Sequence, residues 1–213
     1  MSAPPPSSAA RIERRRAVTV FHLVRHAPHV LQDRVLVGRM KGVALSEAGR
    51  ARAQALGARC RTLGLDAVVA SPRRRARETA AAIAQATGLA VEIAPALDEV
   101  DFGAWTGLAM DALEGDPRWR QWNAHRATAR CPEGESMDAV WARLRDLLRD
   151  LHARWPHGSV ALVTHAEPIR AAALRARGMG FDDFMSVEVA PASVTTLRCD
   201  ADALRLAAER AVA

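Results

Sequence analysis

Two histidines and an arginine stand where apolar stretches of this chain end. Residues 18–24 form an apolar run that leads directly into Arg25 and His26, and residues 160–163 lead into Thr164 and His165. In α/β proteins, ligands bind in the crevice outside the carboxyl ends of the strands. We therefore expect both imidazoles and the Arg25 guanidinium at one edge of a sheet, where they could act chemically on an anion.

A third apolar run brings further cations to the same edge. Residues 67–70 lead into Ser71 and Pro72, and four of the next five residues are arginines. A guanidinium can hold two phosphate oxygens at once and keeps its charge. A neutral imidazole is a competent nucleophile near neutral pH. These residue types favour phosphoryl transfer, which needs a nucleophile, cations around the non-bridging oxygens and an acid for the leaving oxygen.

Six sequence blocks, taken in order, resemble the histidine phosphatase superfamily, the phosphoglycerate mutase-like group. The blocks are Val24-Arg25-His26, LSEAG at 45–49, SPRRRARETA at 71–80, LDEVDFGAWTG at 97–107, Gly134-Glu135-Ser136 and Val163-Thr164-His165. The Gly134-Glu135-Ser136 block and the compact length are most similar to the broad-specificity and α-ribazole-phosphate phosphatase branch.

The resemblance implies a role for each residue of a phosphate site. His26 would be the nucleophile that becomes phosphorylated, while Arg25 and Arg75 would clamp the phosphoryl oxygens. His165 would contact the same group and stabilise the charge that develops during transfer. The other three arginines of the run at 73–77 are expected to be surface charges, since a helix beginning after Pro72 points successive side chains in different directions.

The acid is implied by the same comparison. Glu99 lies four residues before Gly103, in the position from which the family's carboxyl group protonates the leaving oxygen. It would then deprotonate the water that hydrolyses the phosphohistidine. Asp98 and Asp101 are alternatives on residue type alone, and only the position of Gly103 favours Glu99 over them.

On the substrate side the chain departs from the family pattern. Ala27 and Ala166 stand where the superfamily usually carries glycine, and Gln32 stands where it commonly carries asparagine. We predict that Gln32, Thr164 and Ala166 bind the substrate together with the two clamp arginines and the second histidine. The two alanines motivate an alternative, a catalytically weak protein that binds phosphorylated ligands.

The resemblance implies a hydrolase, a phosphomonoesterase of the histidine acid phosphatase type that needs no metal and no cofactor. The arginines already supply the positive charge that a metal would contribute. A phosphoglycerate mutase-type isomerase is the alternative. Hydrolysis is favoured because the segment after Glu99 is shorter than in relatives that isomerise their substrates. The implied partner is a small phosphorylated molecule of unspecified identity.

Strand-like and helical patterns alternate along the chain. We predict strands at 18–24, 67–70, 91–94, 159–164 and 194–199, and helices near 46–62, 73–87, 137–155 and 168–177. Residues 204–208 favour an edge strand over a helix. This alternation predicts an α/β fold, a three-layer α/β/α sandwich with a mostly parallel central sheet, within a single domain.

The chain divides into two predicted parts. Residues 1–16 are rich in proline, serine and then arginine, which predicts a disordered basic N-terminal tail. Residues 17–213 form the predicted histidine phosphatase domain. Within it, approximately residues 102–136 are expected to make a helical lid over the pocket, with Trp105, Trp119 and Trp122 along it.

Composition narrows the partners and the compartment. The net charge of +6 and pI near 10.7 suggest nucleic acid, but aromatic residues are 4% of the chain and no nucleic-acid motif is present. No apolar stretch approaches the roughly 18 residues that a membrane span needs. Three cysteines without paired spacing fit a reducing compartment. We therefore expect a cytoplasmic monomer or homodimer that binds neither nucleic acid nor membrane.

Overall fold

A mixed β-sheet forms the centre of the computed structural model, which describes residues 17–200 and 203–207. Its six strands are β1 (Thr19–Arg25), β2 (Ala67–Ala70), β3 (Val91–Ile93), β4 (Ser159–Thr164), β5 (Val194–Cys199) and β6 (Leu204–Leu206). Across the sheet they follow the order β3-β2-β4-β1-β5-β6. The first four are mutually parallel, and β5 runs antiparallel to β1 and β6. The predicted tail at residues 1–16 lies outside the described residues.

Helices cover both faces of this sheet, which confirms the predicted α/β/α architecture. They are α1 (Glu47–Cys60), α2 (Arg74–Thr87), α3 (Met110–Glu114), α4 (Pro117–Ala124), α5 (Met137–Arg154) and α6 (Ala166–Ala176). Local signals set their ends: the Ser46 side chain caps α1 by accepting from Gly49 N at 3.0 Å, and Gly88 ends α2 at φ 76°. No helix within the described ranges combines the length and apolar character required to cross a membrane.

Two apolar cores lie on opposite faces of the sheet. On one face, Val24 and Val163 pack with residues of α1 and α2, including Ile83. On the other, Leu23 and Leu162 pack in a larger cluster that includes α5 and α6. Successive residues of a strand point to opposite faces, so a strand buried on both sides becomes a continuous apolar run. This double burial explains why β1 and β4 are recognisable in the sequence.

The predicted lid segment contains α3 and α4 and has an aromatic cluster of its own. Trp105 and Trp122 are fully buried, and the rings of Trp119 and Trp122 stack with centroids 5.5 Å apart. Phe102 meets Trp122 edge-on at 5.5 Å. The indole N–H of Trp105 donates to Asp116 Oδ2 at 3.0 Å. The aromatic side chains thus stabilise the lid by packing against one another.

The carboxyl ends of three neighbouring strands coincide. Arg25, the last residue of β1, is in register with Thr164, the last residue of β4. In the adjacent pair, Ala70 of β2 is in register with Val163. The residue that follows each strand therefore emerges at the same edge of the sheet.

Candidate active site

A neutral imidazole and a buried guanidinium form the centre of the site. Arg75, in the first turn of α2, donates from Nε to Nε2 of His26 at 3.1 Å. The other ring nitrogen of His26, Nδ1, lies 2.9 Å from the carbonyl oxygen of Ala27. Because arginine can only donate, Nε2 carries the lone pair and Nδ1 carries the proton. Burial, then the charge of Arg75, holds the pKa of His26 well below its ordinary value.

The second histidine contacts the same guanidinium. Nη2 of Arg75 donates to Nδ1 of His165 at 3.0 Å and to the carbonyl oxygen of Gly38 at 2.8 Å. The His26 and His165 rings lie edge to face with centroids 5.1 Å apart. Burial and Arg75 lower the pKa of His165 well below the ordinary value, so this imidazole is also neutral. The predicted grouping of these three side chains is thus present in the structure.

Two guanidinium nitrogens near these histidines have no hydrogen-bond acceptor. Nη1 of Arg75 and Nε of Arg25 are buried and unpartnered, although Nη1 of Arg25 donates to the carbonyl oxygen of Val189. Leaving such a buried donor unsatisfied costs about 1–3 kcal/mol, and more when it is charged. Unpaired cationic donors next to His26 are suited to an anion with several oxygen acceptors.

Glu99 brings a carboxyl group with an unusual protonation equilibrium. Its Oε1 accepts from Val100 N at 2.9 Å, and the side chain is buried. Burial first, and the negative charge of Glu167 second, raise the pKa of Glu99 to about 7. The nearby guanidinium groups of Arg75 and Arg25 oppose that rise. A carboxyl group with this pKa can both donate and accept a proton near neutral pH.

The backbone around Glu99 is fixed by two arginines. Nε of Arg39 donates to the Glu99 carbonyl oxygen at 2.8 Å, and Nη2 of Arg143 donates to the same oxygen at 3.0 Å. Both guanidinium groups also contact the carboxylate of Glu135, at 2.9 Å and 3.2 Å. Glu135 belongs to the Gly-Glu-Ser block, so this block positions the segment that carries Glu99.

The alternative carboxylates have different surroundings. Asp98 accepts from Ser71 Oγ at 3.4 Å and forms an ion pair with Arg73 at 2.8 Å. Asp101 is more exposed, and its Oδ2 lies 3.5 Å from Nη1 of Arg39. Glu99 is buried, and this burial raises its pKa to about 7. The structure therefore favours Glu99 as the acid.

One arginine predicted to be a surface charge is not one. Arg74 and Arg77 are exposed as expected, but Arg73 is partly buried and also donates to the carbonyl oxygen of Arg39 at 2.6 Å. Arg73 precedes α2 and has an extended backbone, with φ −68° and ψ 138°. A residue with this conformation does not follow the helical direction, and its side chain reaches Asp98 instead of solvent.

The predicted substrate-binding residues have mixed environments. Thr164 is fully buried, and its hydroxyl donates to the carbonyl oxygen of Leu97 at 2.6 Å, which joins β4 to the segment before Glu99. Gln32 donates from Nε2 to Asp33 Oδ1 at 2.8 Å, whereas its Oε1 is buried and has no partner. Ala166 begins α6 directly after His165. Substrate contact by these residues stays a prediction.

The two alanines in place of family glycines need no unusual backbone conformation. Among the described non-glycine residues, a positive φ occurs at Asp33, Glu133 and Ala192, and not at Ala27 or Ala166. The amide of Ala27 donates to Thr79 Oγ1 at 3.0 Å. Alanine is therefore accommodated at both positions without left-handed strain.

A buried ion-pair network near the site is not predictable from the motifs. Glu167, two residues after His165, is paired with Arg126 and, at 2.8 Å, with Arg170. The Arg126 guanidinium lies between the rings of Trp122 and Phe184, 3.8 Å and 3.7 Å from their centroids. Arg126 follows α4, so this network attaches the lid to the start of α6. No local pattern links residues so distant in sequence.

A third imidazole, that of His29, lies beside His26. Its ring centroid is 5.4 Å from that of His26, and its Nδ1 accepts from Leu31 N at 3.2 Å. Burial and the charge of Arg75 lower the pKa of His29 to about 4. The ring is therefore neutral and carries its proton on Nε2.

Comparisons with known proteins agree with this geometry. A family model described as histidine phosphatase superfamily (branch 1) matches residues 21–210. Phosphoserine phosphatase 1 of Hydrogenobacter thermophilus is 30% identical over 183 residues, which cover 84% of this chain and 85% of that protein. "Probable phosphoglycerate mutase GpmB" of Erwinia tasmaniensis is 33% identical over 129 residues, 60% of each chain.

A solved structure shows the same architecture. Mycobacterial glucosyl-3-phosphoglycerate phosphatase Rv2419c superposes with a TM-score of 0.79 at 26% identity, covering 89% of this chain and 96% of that one. Some curated relatives are considerably longer, and the matched region covers 46% of the bifunctional protein Rv2228c of Mycobacterium tuberculosis.

Proposed function

Since the chain belongs to branch 1 of the histidine phosphatase superfamily, we propose that it hydrolyses a phosphate monoester through a phosphohistidine on His26. The observation that carries this proposal is the unprotonated Nε2 of His26 beside the unpartnered nitrogens of Arg25 and Arg75. A nucleophile and cationic donors for the transferred group are thus already assembled.

In the first half-reaction, Nε2 of His26 attacks phosphorus in line with the leaving oxygen. The N–P bond forms as the P–O bond to the leaving group breaks. Arg25, Arg75 and His165 hold the non-bridging oxygens, on which negative charge is concentrated. Glu99 in its protonated form gives its proton to the leaving oxygen, so the alcohol departs neutral.

In the second half-reaction, water takes the place of the alcohol. The Glu99 carboxylate accepts a proton from this water as its oxygen attacks the phosphohistidine. The N–P bond breaks, inorganic phosphate leaves, and Glu99 is again protonated. A pKa of about 7 suits both proton transfers, because neither protonation state is strongly favoured.

We favour hydrolysis over isomerisation because the lid segment is short. A mutase must retain and rephosphorylate its intermediate, whereas the segment after Glu99 here contains two short helices, Met110–Glu114 and Pro117–Ala124. The relative from Hydrogenobacter is named as a phosphatase and the one from Erwinia as a mutase. A phosphomonoesterase is therefore our first choice and a mutase the second.

The arginines provide the charge stabilisation that the proposed mechanism needs without a metal. The remaining expectations are a small phosphorylated substrate and a cytoplasmic monomer or homodimer. The free thiols of Cys60, Cys131 and Cys199 support the cytoplasmic setting.

His26→Ala tests this function directly. We expect turnover of p-nitrophenyl phosphate to be lost to background in the variant and to survive a metal chelator in the unaltered protein. His157→Ala is the matched control, because His157 is exposed in the turn before β4, at the opposite end of the strands from His26. Turnover that persists in His26→Ala, or that stops with the chelator, would contradict the mechanism. Absence of turnover with retained phosphate binding would favour the weakly catalytic binding protein.

A further inference from the structure

A hydrogen-bonded relay connects a buried carboxylate to the second histidine of the site. Since Nδ1 of His165 accepts from Arg75, the neutral ring carries its proton on Nε2, which lies 2.8 Å from Ser71 Oγ. The Ser71 hydroxyl then donates to Oδ1 of Asp98 at 3.4 Å. Nε2 itself is 3.8 Å from the same carboxylate oxygen. Both ring nitrogens of His165 therefore have hydrogen-bond partners within the protein.

The carboxylate at the end of the relay is held from several directions. Oδ2 of Asp98 pairs with Arg73 at 2.8 Å and lies 3.8 Å from Nε of Arg39. Oδ1 also accepts from Glu99 N at 2.9 Å. Ser71 is fixed too, because its oxygen accepts from Arg73 N at 3.2 Å. Asp98 and Ser71 are thus oriented towards Nε2 of His165 by contacts that do not involve the substrate.

We propose that Asp98, acting through Ser71, is a positioning residue that allows His165 to become an imidazolium when the phosphoryl group binds. The inference rests on the proposed phosphate site and adds a role for two residues outside it. In this structure Nδ1 of His165 accepts from Arg75 and therefore cannot donate to an oxyanion. A phosphoryl oxygen that takes the Arg75 donor frees Nδ1 to bind a proton from solvent and to donate it to the anion.

The charge balance explains why a carboxylate is needed. His165 faces the cationic groups of Arg75, Arg73 and Arg143 and the imidazole of His26, all of which disfavour a positive ring. Asp98 is the negative group in contact with the relay, and a dianionic ligand would add negative charge on the opposite side of the ring. A charge of opposite sign within about 4–6 Å typically favours the charged form of a group by roughly 10- to 1,000-fold. One proton is gained on binding, and no bond to phosphorus changes in this step.

Nuclear magnetic resonance of ring nitrogens gives a readout that a merely structural role would not alter. The seven histidines are labelled with ¹⁵N, and His165→Gln identifies the His165 signals. With saturating inorganic phosphate at pH 7, we expect both ring nitrogens of His165 to be protonated, and only Nε2 without phosphate. In Asp98→Asn the phosphate-bound ring should return to the neutral form. Phosphate affinity should fall by about tenfold, because the bound anion loses its interaction with a cationic ring.

Two further variants separate the relay from folding effects. Ser71→Ala removes one oxygen without changing the net charge, and we expect it to lower the protonated fraction of His165 in the same direction. Asp101→Asn is the matched control, because Asp101 contacts Arg39 and makes no contact with Ser71 or His165. Its phosphate complex should keep the doubly protonated ring. If Asp98→Asn does not fold, Ser71→Ala carries the test.

The outcomes distinguish this inference from the proposed function. A neutral His165 ring in the phosphate complex of the unaltered protein would overturn the relay proposal alone. So would a doubly protonated ring that persists in both Asp98→Asn and Ser71→Ala. Failure of the unaltered protein to bind phosphate, or hydrolysis that continues in His26→Ala, would instead contradict the phosphohistidine site.

Discussion

At the scale of single residues, burial keeps one imidazole unprotonated and one carboxyl group protonated near neutral pH. His26 is buried beside Arg75 and is held neutral, so that its lone pair is available at neutral pH. Burial and the nearby charge of Glu167 raise the pKa of Glu99 to about 7, so its carboxyl group is mostly protonated below that pH. Both pKa changes arise mainly from burial, which disfavours the charged form of either group. The proposed nucleophile and the proposed acid therefore have the protonation states they need within one pH range.

Glu99→Gln tests the acid through the leaving group. The variant cannot donate a proton, so hydrolysis of an alkyl phosphate should fall by about 10²- to 10⁴-fold, with a smaller loss for p-nitrophenyl phosphate. In the unaltered protein, formation of the phosphohistidine should become slower as pH rises through 7, since Glu99 loses its proton above its pKa. Rates from pH 5 to 9 on both substrates measure this. Equal losses on the two substrates would contradict the assignment.

The same residues show what sequence can and cannot predict about a site. His26, Arg75 and His165 are identifiable because each belongs to a short motif at a strand end or helix start. The interpretation of Arg73 was wrong because its direction depends on Asp98, a partner 25 positions away that no local pattern reveals. Motifs select the candidate residues, but the contacts that orient them depend on tertiary structure.

At the scale of elements, buried strands are the easiest to predict. The bounds of β2 and β4 agree with the apolar runs because strands covered on both faces have few polar residues to obscure their ends. The predicted bounds of β5 agree as well, although most of its residues are only partly buried. Helix α6 begins at Ala166, two residues before the predicted start at Pro168. Proline is tolerated in the first turn of a helix, where its missing N–H would be unpaired in any case. A proline therefore locates a helix start only to within a few residues.

The ion pair between Arg126, which follows α4, and Glu167 of α6 should contribute measurably to the free energy of unfolding. Arg126 and Glu167 are both buried, and removing one partner of such a pair typically costs about 3–5 kcal/mol because the other charge is left uncompensated. We expect Arg126→Met to lower the free energy of unfolding by about this amount and Glu167→Gln by a similar amount. The double variant should lose less than the sum of the two. Urea denaturation of the four proteins measures the coupling, and strict additivity would contradict it.

At the scale of the whole molecule, the apolar cores that stabilise the fold and the charged candidate site occupy different places. Two apolar cores hold the sheet between its helices, while the charged site occupies the single edge where β2, β4 and β1 end. Buried donors that have no acceptor lower the stability of the fold, and the apolar cores offset this loss. An anion that satisfies them should therefore stabilise the protein as a whole.

Inorganic phosphate tests this relation between site and fold. A ligand present at 100 times its Kd stabilises a protein by about 2.7 kcal/mol, which for this chain length corresponds to a rise in Tm of roughly 5–11 °C. Arg75→Met removes the buried donor and should abolish most of that rise. Arg77→Met, two residues along α2, is the control, because Arg77 is exposed and should leave the rise intact. Differential scanning calorimetry with and without phosphate compares the three proteins. An equal rise in all of them would mean that phosphate binds elsewhere, and the unpartnered nitrogens at this edge would then have another purpose.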